Sequence, residues 1–294
     1  MAIREAHVEW PPMATSNPLI WLLPYDFSPS LLLAWVAAAL LYARGVRKRR
    51  VPFGRRLSYW IGMAIIYCAL LTRFDFYALH QFFIDRIQQV LMHHLAPLLI
   101  AFAYPLPTLR AALPPRWRAR LVKPVARSGV GRALSFLLLN PLVATVTFVA
   151  LVLLWLIPRA MTLAMLDWRL YWLMNVSMLA SGLIYWSLVL DHRRRPPARM
   201  ASGMRVLSPI VSMTPQIVVG AVITFTKTDL YPVFAACGRV FNIDVLTDQQ
   251  VGGLISWVPA SMIETVAALL ALRVWMRLSQ AQARRVAKAG VVPR

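Results

Sequence analysis

Long apolar runs separated by short arginine-rich patches set the pattern of this chain. Seven runs, near residues 28–43, 57–72, 87–109, 133–157, 169–190, 206–226 and 251–275, are apolar enough to enter lipid. A hydrocarbon core is about 30 Å thick and takes roughly 20 helical residues to cross. A segment in lipid must hydrogen-bond its own backbone, and none of these runs has the short alternating pattern of a transmembrane barrel, so each is expected to be a helix. The predicted fold is an all-α polytopic membrane protein, a seven-helix bundle over residues 28–276. Residues 1–27 are read as a segment outside the membrane and 277–294 as a basic cytoplasmic tail.

Prolines punctuate the runs: Pro97 in the third, Pro105 and Pro107 at its end, Pro141 in the fourth, Pro209 and Pro215 in the sixth and Pro259 in the seventh. Each frees a carbonyl one turn earlier and kinks its helix, which a bundle tolerates when a neighbouring helix supplies a donor. The stretch 227–250 is long enough to hold some structure of its own. Thr247 with Gln250 has the spacing of a capping box, Asp248 suits the positive start of a helix, and Gly252-Gly253 lets another helix approach closely.

Charge orients the bundle. Arg44, Arg47, Lys48, Arg49, Arg50, Arg55 and Arg56 lie between the first two runs, and Arg110, Arg116, Arg118, Arg120, Lys123, Arg127 and Arg132 between the third and fourth. Basic loops stay cytoplasmic, which places the N-terminus outside and the C-terminus inside. Most acids then face outward, among them Asp75, Asp85, Asp167, Asp229, Asp244 and Asp248. Trp21, Tyr25, Trp168, Tyr171, Trp172 and Tyr231 sit near run ends and read as interfacial anchors.

Composition agrees with lipid as the solvent: 59% of the 294 residues are apolar and the net charge is +21. In a soluble protein a pI near 11.4 would suggest nucleic acid, but here the basic residues sit in short loops facing anionic lipid, so no nucleic-acid partner is expected. Residues 1–27 lack a basic start, an apolar core and a small-residue cleavage site in that order, so no cleavable signal is expected.

Candidate chemistry concentrates on the outward half. LMHHLAPLL, residues 91–99, places His93 and His94 side by side in a hydrophobic helix. Counting about 1.5 Å per residue from Arg86 puts them roughly 10–12 Å below the outer surface. Their side chains point about 100° apart on an α-helix, so one compact ligand would normally meet one of them. His7, His80, Cys68 and Cys237 also fall on the outer side, as do Met92, Met161, Met165, Met174 and Met178. Imidazole and thioether together favour copper, with thioether selecting the cuprous form. Methionine as a gap filler and histidine as a hydrogen-bonding bundle residue explain the same positions without metal.

Glu264, mid-run in SMIETV, must be protonated, paired or facing a polar cavity; proton handling and a helix-to-helix hydrogen bond both fit. Asp248 and Gln249 at the outer mouth of the last run are candidates for a ligand or partner. No nucleophile–base constellation, phosphate loop or zinc-protease helix is present, so no enzymatic activity is expected. A bis-histidine haem would need a second helix-borne histidine, and no other run carries one.

Three stretches, DRIQQVLMHHLAPLLIAFAYP (85–105), GLIYWSLVLD (182–191) and DQQVGGLISWVP (248–259), resemble the CtaG-type, or Caa3-type, cytochrome c oxidase assembly factors of bacterial membranes. The likeness runs from about residue 25 to 276, and the last stretch is the most specific. It implies a seven-helix inner-membrane protein that helps mature a haem-copper oxidase, with oxidase subunits as partners and copper handled at the outer face. The resemblance also implies, as in many members, HxxxH pairs at the start of the third span and early in the fifth. Here those positions hold Asp85 and Gln89, then Tyr171 and Asn175, so those ligands do not carry over. The expected site is therefore Cu(I) on His93 or His94 with Met92, and with Met174, Met178 or His80 as further ligands. Two alternatives stand beside it: a metal-free scaffold for oxidase subunits, or a transporter of copper or a small solute. A transporter would need a polar path through the cytoplasmic half, which is dry apart from Glu264 and the prolines.

Overall fold

The computed structural model describes residues 29–117, 119–120, 124 and 127–288. The expected outer segment 1–27, with His7, Trp21 and Tyr25, lies outside the described residues. Helices follow in the order α1 (Pro29–Lys48), α2 (Phe53–Leu71), α3 (Arg73–His80), α4 (Phe82–Val90), a π-helical turn (Leu91–Leu95), α5 (Ala96–Ala103) and α6 (Leu106–Ala112). After a single turn at Pro115–Trp117 come α7 (Gly129–Leu138), α8 (Pro141–Leu156), α9 (Pro158–Leu166), α10 (Trp168–Val189), α11 (Ser202–Phe225), α12 (Val233–Ala236) and α13 (Val245–Lys288). The described residues contain no strand.

Four helices, α1, α10, α11 and α13, are long and apolar enough to cross a membrane, and the count reaches seven if each of three bent pairs is one span. The pairs α2–α3, α4/α5–α6 and α7–α8 bend by 58°, 65° and 68°. Two bends fall inside runs expected to be continuous. The third run, expected over 87–109, stops at Ala103, because Tyr104 turns left-handed at φ 52° and Pro105 and Pro107 start a new helix. The fourth, expected over 133–157, restarts at Asn140, whose Oδ1 accepts the Leu142 amide at 2.9 Å, with Pro141 at the first helical position. Pro141 therefore begins a helix instead of kinking one.

The last helix is longer than expected at both ends. Asp244, not Thr247, caps it: its Oδ2 accepts the Leu246 and Thr247 amides at 3.1 and 3.2 Å. At the other end RLSQAQARRVAK, rich in good helix formers and free of Pro and Gly, carries α13 through the expected boundary at 276 to Lys288.

Small residues let the helices meet. Gly62 of α2 seats on Ala96 and Ile100 of α5, and Gly253 of α13 meets Thr224 of α11. Three buried apolar clusters result. One surrounds Phe82, Met161, Met174, Tyr231 and Phe234 at the end of the bundle that carries Asp75 and Asp248. A second surrounds Phe148, Tyr185 and Trp186, and a third lies between α1, α2 and α5 around Tyr42, Tyr59 and Met92. Outside these clusters, Leu142, Phe225 and Met262 are exposed at 72%, 75% and 64%, as a lipid-facing surface requires. Of the expected anchors Trp168 is exposed at 70%, but Tyr171 and Tyr231 are buried and hydrogen-bonded inward.

Candidate functional site

The histidine pair sits on the π-helical turn. Pro97 has no amide to donate one turn back, and the carbonyl it frees is that of His93. The Trp186 indole of α10 donates to that oxygen at 3.2 Å, and Gly182 leaves room for the approach. The ladder meanwhile widens, with the Ala96 amide reaching the Leu91 carbonyl, a π-bulge of the kind often found at functional sites. Gly182 and Trp186 both belong to GLIYWSLVLD, so two of the three distinctive stretches are pieces of one contact.

The widened turn brings both imidazoles against one ring. His93 stacks on Phe148 with centroids 4.0 Å apart, and His94 lies 5.3 Å from Phe148 and 4.8 Å from His93. Both histidines are buried. His93 Nε2 lies 3.1 Å from Ser181 Oγ, and His94 Nε2 lies 3.1 Å from Glu264 Oε1.

Glu264 is fully buried. Its Oε1 also accepts the Gln216 amide at 2.8 Å, and its Oε2 accepts the Ser212 hydroxyl at 3.0 Å. Ser212 and Ser208 in turn meet the Tyr185 hydroxyl at 3.3 and 3.2 Å. A carboxyl in an apolar interior is tolerated when such partners replace water. Glu264 of α13 thus bonds to α11 through Ser212 and Gln216 and to the π-helical turn through His94. Three buried atoms here have no partner among the described residues: Nδ1 of His93, Nδ1 of His94 and Oε1 of Gln216.

The other expected ligands lie elsewhere. Met92 packs toward α2 in the cluster of Tyr59 and Met63. Met174 and Met178 join Met161 and Met165 in the cluster at the acidic end. His80 holds its own helix, with Nδ1 2.7 Å from the Phe76 carbonyl. Cys68 and Cys237 are both free. No group of three or more His, Cys, Asp or Glu among the described residues is arranged to hold a metal ion.

Asp248 and Gln249 are occupied with the fold. Asp248 accepts the Phe82 and Phe83 amides at 3.2 and 2.9 Å, capping α4 from a different helix, and pairs with Arg239. Gln249 accepts the Leu230 amide at 2.7 Å and donates to the Thr228 carbonyl at 3.1 Å, fastening the loop after α11. Gly252 abuts Phe82, and Trp257 covers Gly220.

A second buried polar group, not anticipated from the sequence, lies between α3, α4 and α10. Asp75 Oδ1 accepts from Gln88 at 2.6 Å and from the Tyr171 hydroxyl at 2.7 Å, and Gln89 donates to Asn175 at 3.2 Å. Asp85 pairs with Arg86, which also reaches the Met161 sulfur at 3.7 Å. Asp75, Tyr171 and Asn175 line a partly open cavity of about 300 Å³ together with Trp168, Trp172 and Met165.

Residues 35–278 match the family described as cytochrome c oxidase caa3 assembly factor. The chain belongs to this family. No curated protein and no solved structure matches it. Of the four positions at which the resemblance implied imidazole pairs, two meet in this chain, since Gln89 of α4 bonds Asn175 of α10. Here they form an amide contact.

Proposed function

We propose that this protein matures a haem-copper oxidase in a bacterial inner membrane, with its N-terminus outside, by holding cuprous copper on His93 and His94 and passing it to an oxidase subunit. The observation that carries the reading is the pair of buried, unpartnered Nδ1 atoms on adjacent imidazoles whose Nε2 atoms are held by Ser181 and Glu264. A metal-binding histidine generally gives its second ring nitrogen to a carboxylate or another acceptor, which fixes the ring and leaves the other lone pair free. Two imidazole nitrogens suit Cu(I), which accepts low coordination numbers and soft or borderline donors. The methionines packed in the neighbouring cluster stay outside this set. The role is delivery, not catalysis.

The test is oxidase maturation in the host cell at limiting copper. A His93→Ala, His94→Ala variant should accumulate oxidase deficient in copper and be rescued by added copper. Full maturation with the double variant would remove the copper role. A metal-free scaffold has one observation in its favour, the Gln89–Asn175 contact at positions where the resemblance implied imidazoles. In that case added copper would not rescue a deletion.

A further inference from the structure

α4, with the π-helical turn that continues it, faces α10 along a strip of buried polar side chains. Gln89 donates to Asn175 at 3.2 Å, and four residues on, His93 Nε2 lies 3.1 Å from Ser181 Oγ. Four residues before Gln89 stands Asp85, which interacts electrostatically with Tyr171 of α10. Asp85, Gln89 and His93 are all buried, and each leaves one atom without a partner among the described residues: Oδ1, Oε1 and Nδ1. The bonds these residues do make fix all three atoms as acceptors. Gln89 gives its NH2 group to Asn175, and Asp85 pairs with Arg86 through Oδ2. Ser181 spends its one hydroxyl hydrogen on the Met178 carbonyl at 3.0 Å, so its oxygen accepts from His93 Nε2 and the lone pair lies on His93 Nδ1.

Positions four apart on a helix are about 6 Å apart. One water that donates about 2.8 Å to either side spans that gap. Consecutive acceptors need a bridge with two hydrogens to give. Water has them; an ammonium ion has them too, but the Arg86 guanidinium already on Asp85 repels a second cation there. The line of acceptors also has a mouth. Asn175, which holds Gln89, lines the partly open cavity beside Trp168 and Trp172, and Trp168 at the start of α10 is exposed. We propose that this cavity is the vestibule of the histidine pair, and that water on the Asp85, Gln89 and His93 acceptors joins it to His93 past the Gln89–Asn175 contact. Buried polar groups that lack protein partners are where folded proteins hold ordered water. The consequence for cargo rests on the reading that His93 and His94 hold cuprous copper: the ion enters by this route and displaces the water on His93 Nδ1.

Hydroxyl-radical footprinting of the full-length protein tests the water directly, because radicals that X-rays form from internal water oxidise the side chains beside it. Met178 of α10 lies one turn from both Asn175 and Ser181, whereas Met92, equally buried, packs toward α2. Met178 should be oxidised severalfold faster than Met92. Gln89→Leu with Asn175→Leu replaces both amides by apolar groups of similar shape, which a fold tolerates when the two partners go together. That variant should bring Met178 down to the rate of Met92 with the melting temperature unchanged. It should also take up Cu(I) severalfold more slowly than wild type while reaching the same final copper content. Met178 as protected as Met92 in the wild type would overturn the proposal. So would Met178 oxidation or copper uptake that the double substitution leaves unchanged. A wild type that takes up no copper would instead remove the copper reading, and the footprint alone would then decide the water path.

Discussion

His94 Nε2 and Glu264 Oε1 meet 3.1 Å apart across 170 residues of chain. The contact joins the π-helical turn to the last helix, and Ser212 and Gln216 bring α11 into the same carboxylate. Replacing Glu264 by Leu strands three buried polar partners at once and should cost about 3–5 kcal/mol. Glu264→Gln keeps an acceptor and should cost about 1–2 kcal/mol. Thermal unfolding of both variants in one detergent checks the ranking; equal melting temperatures for Leu and wild type would contradict it.

Trp186 and Pro97 should be energetically coupled. The indole serves the carbonyl that Pro97 frees, so Trp186→Phe should cost about 1–3 kcal/mol. In a Pro97→Ala background the amide at 97 can serve the His93 carbonyl itself, and the same substitution should cost less. A double-mutant cycle measures the difference, and strict additivity would separate the two residues.

Asp248 makes a prediction at single amides. Removing it as Asp248→Ala uncaps α4, at about 1–2 kcal/mol, and leaves Arg239 without its carboxylate. Hydrogen exchange should accelerate at the Phe82 and Phe83 amides, which donate to Asp248. Exchange at the Leu246 amide, held by Asp244, should not change.

At the arginine-rich end Asp191 sets a pH dependence. Burial pushes its carboxyl up, but donors from the Arg193 side chain and backbone, with Arg205 nearby, outweigh burial and hold it below the usual carboxylate range. A folded-state pKa below the unfolded value means stability that is present above about pH 4 and lost as pH falls through the folded pKa. Wild type should therefore exceed Asp191→Asn in melting temperature at neutral pH, and the gap should close as pH is lowered below 4.

How much of this was legible in the chain depends on the distance over which each feature is decided. The apolar runs were readable because lipid leaves a long segment no choice but a helix, and the freed carbonyl at Pro97 follows from one missing amide. Pro141 reads as an interior kink and in fact starts a helix, since a proline looks the same in a sequence whether it bends a helix or begins one. The cap of α13 lies at Asp244, three residues before Thr247, because a Thr-x-x-Gln spacing reads the same inside the first turns of a helix as at its start. Glu264 carried a signal as a lone carboxyl in an apolar run, but its partners Ser212, Gln216 and His94 are set by packing between distant helices. Asp248 and Gln249 drew notice as polar residues at a helix mouth, and the fold spends them on Phe82, Phe83 and the loop at Leu230. Gln88 and Asp75 carry no signal singly, and they form a group with Tyr171 only where α3, α4 and α10 meet.

The most direct test of the account is the copper content of the purified protein after anaerobic Cu(I) loading, with X-ray absorption to identify the donors. One Cu(I) per chain with nitrogen donors, lost in His93→Ala, His94→Ala and weakened in Glu264→Gln, is the predicted result. No bound copper in the wild type, or copper with sulfur donors that survives the double variant, would contradict it.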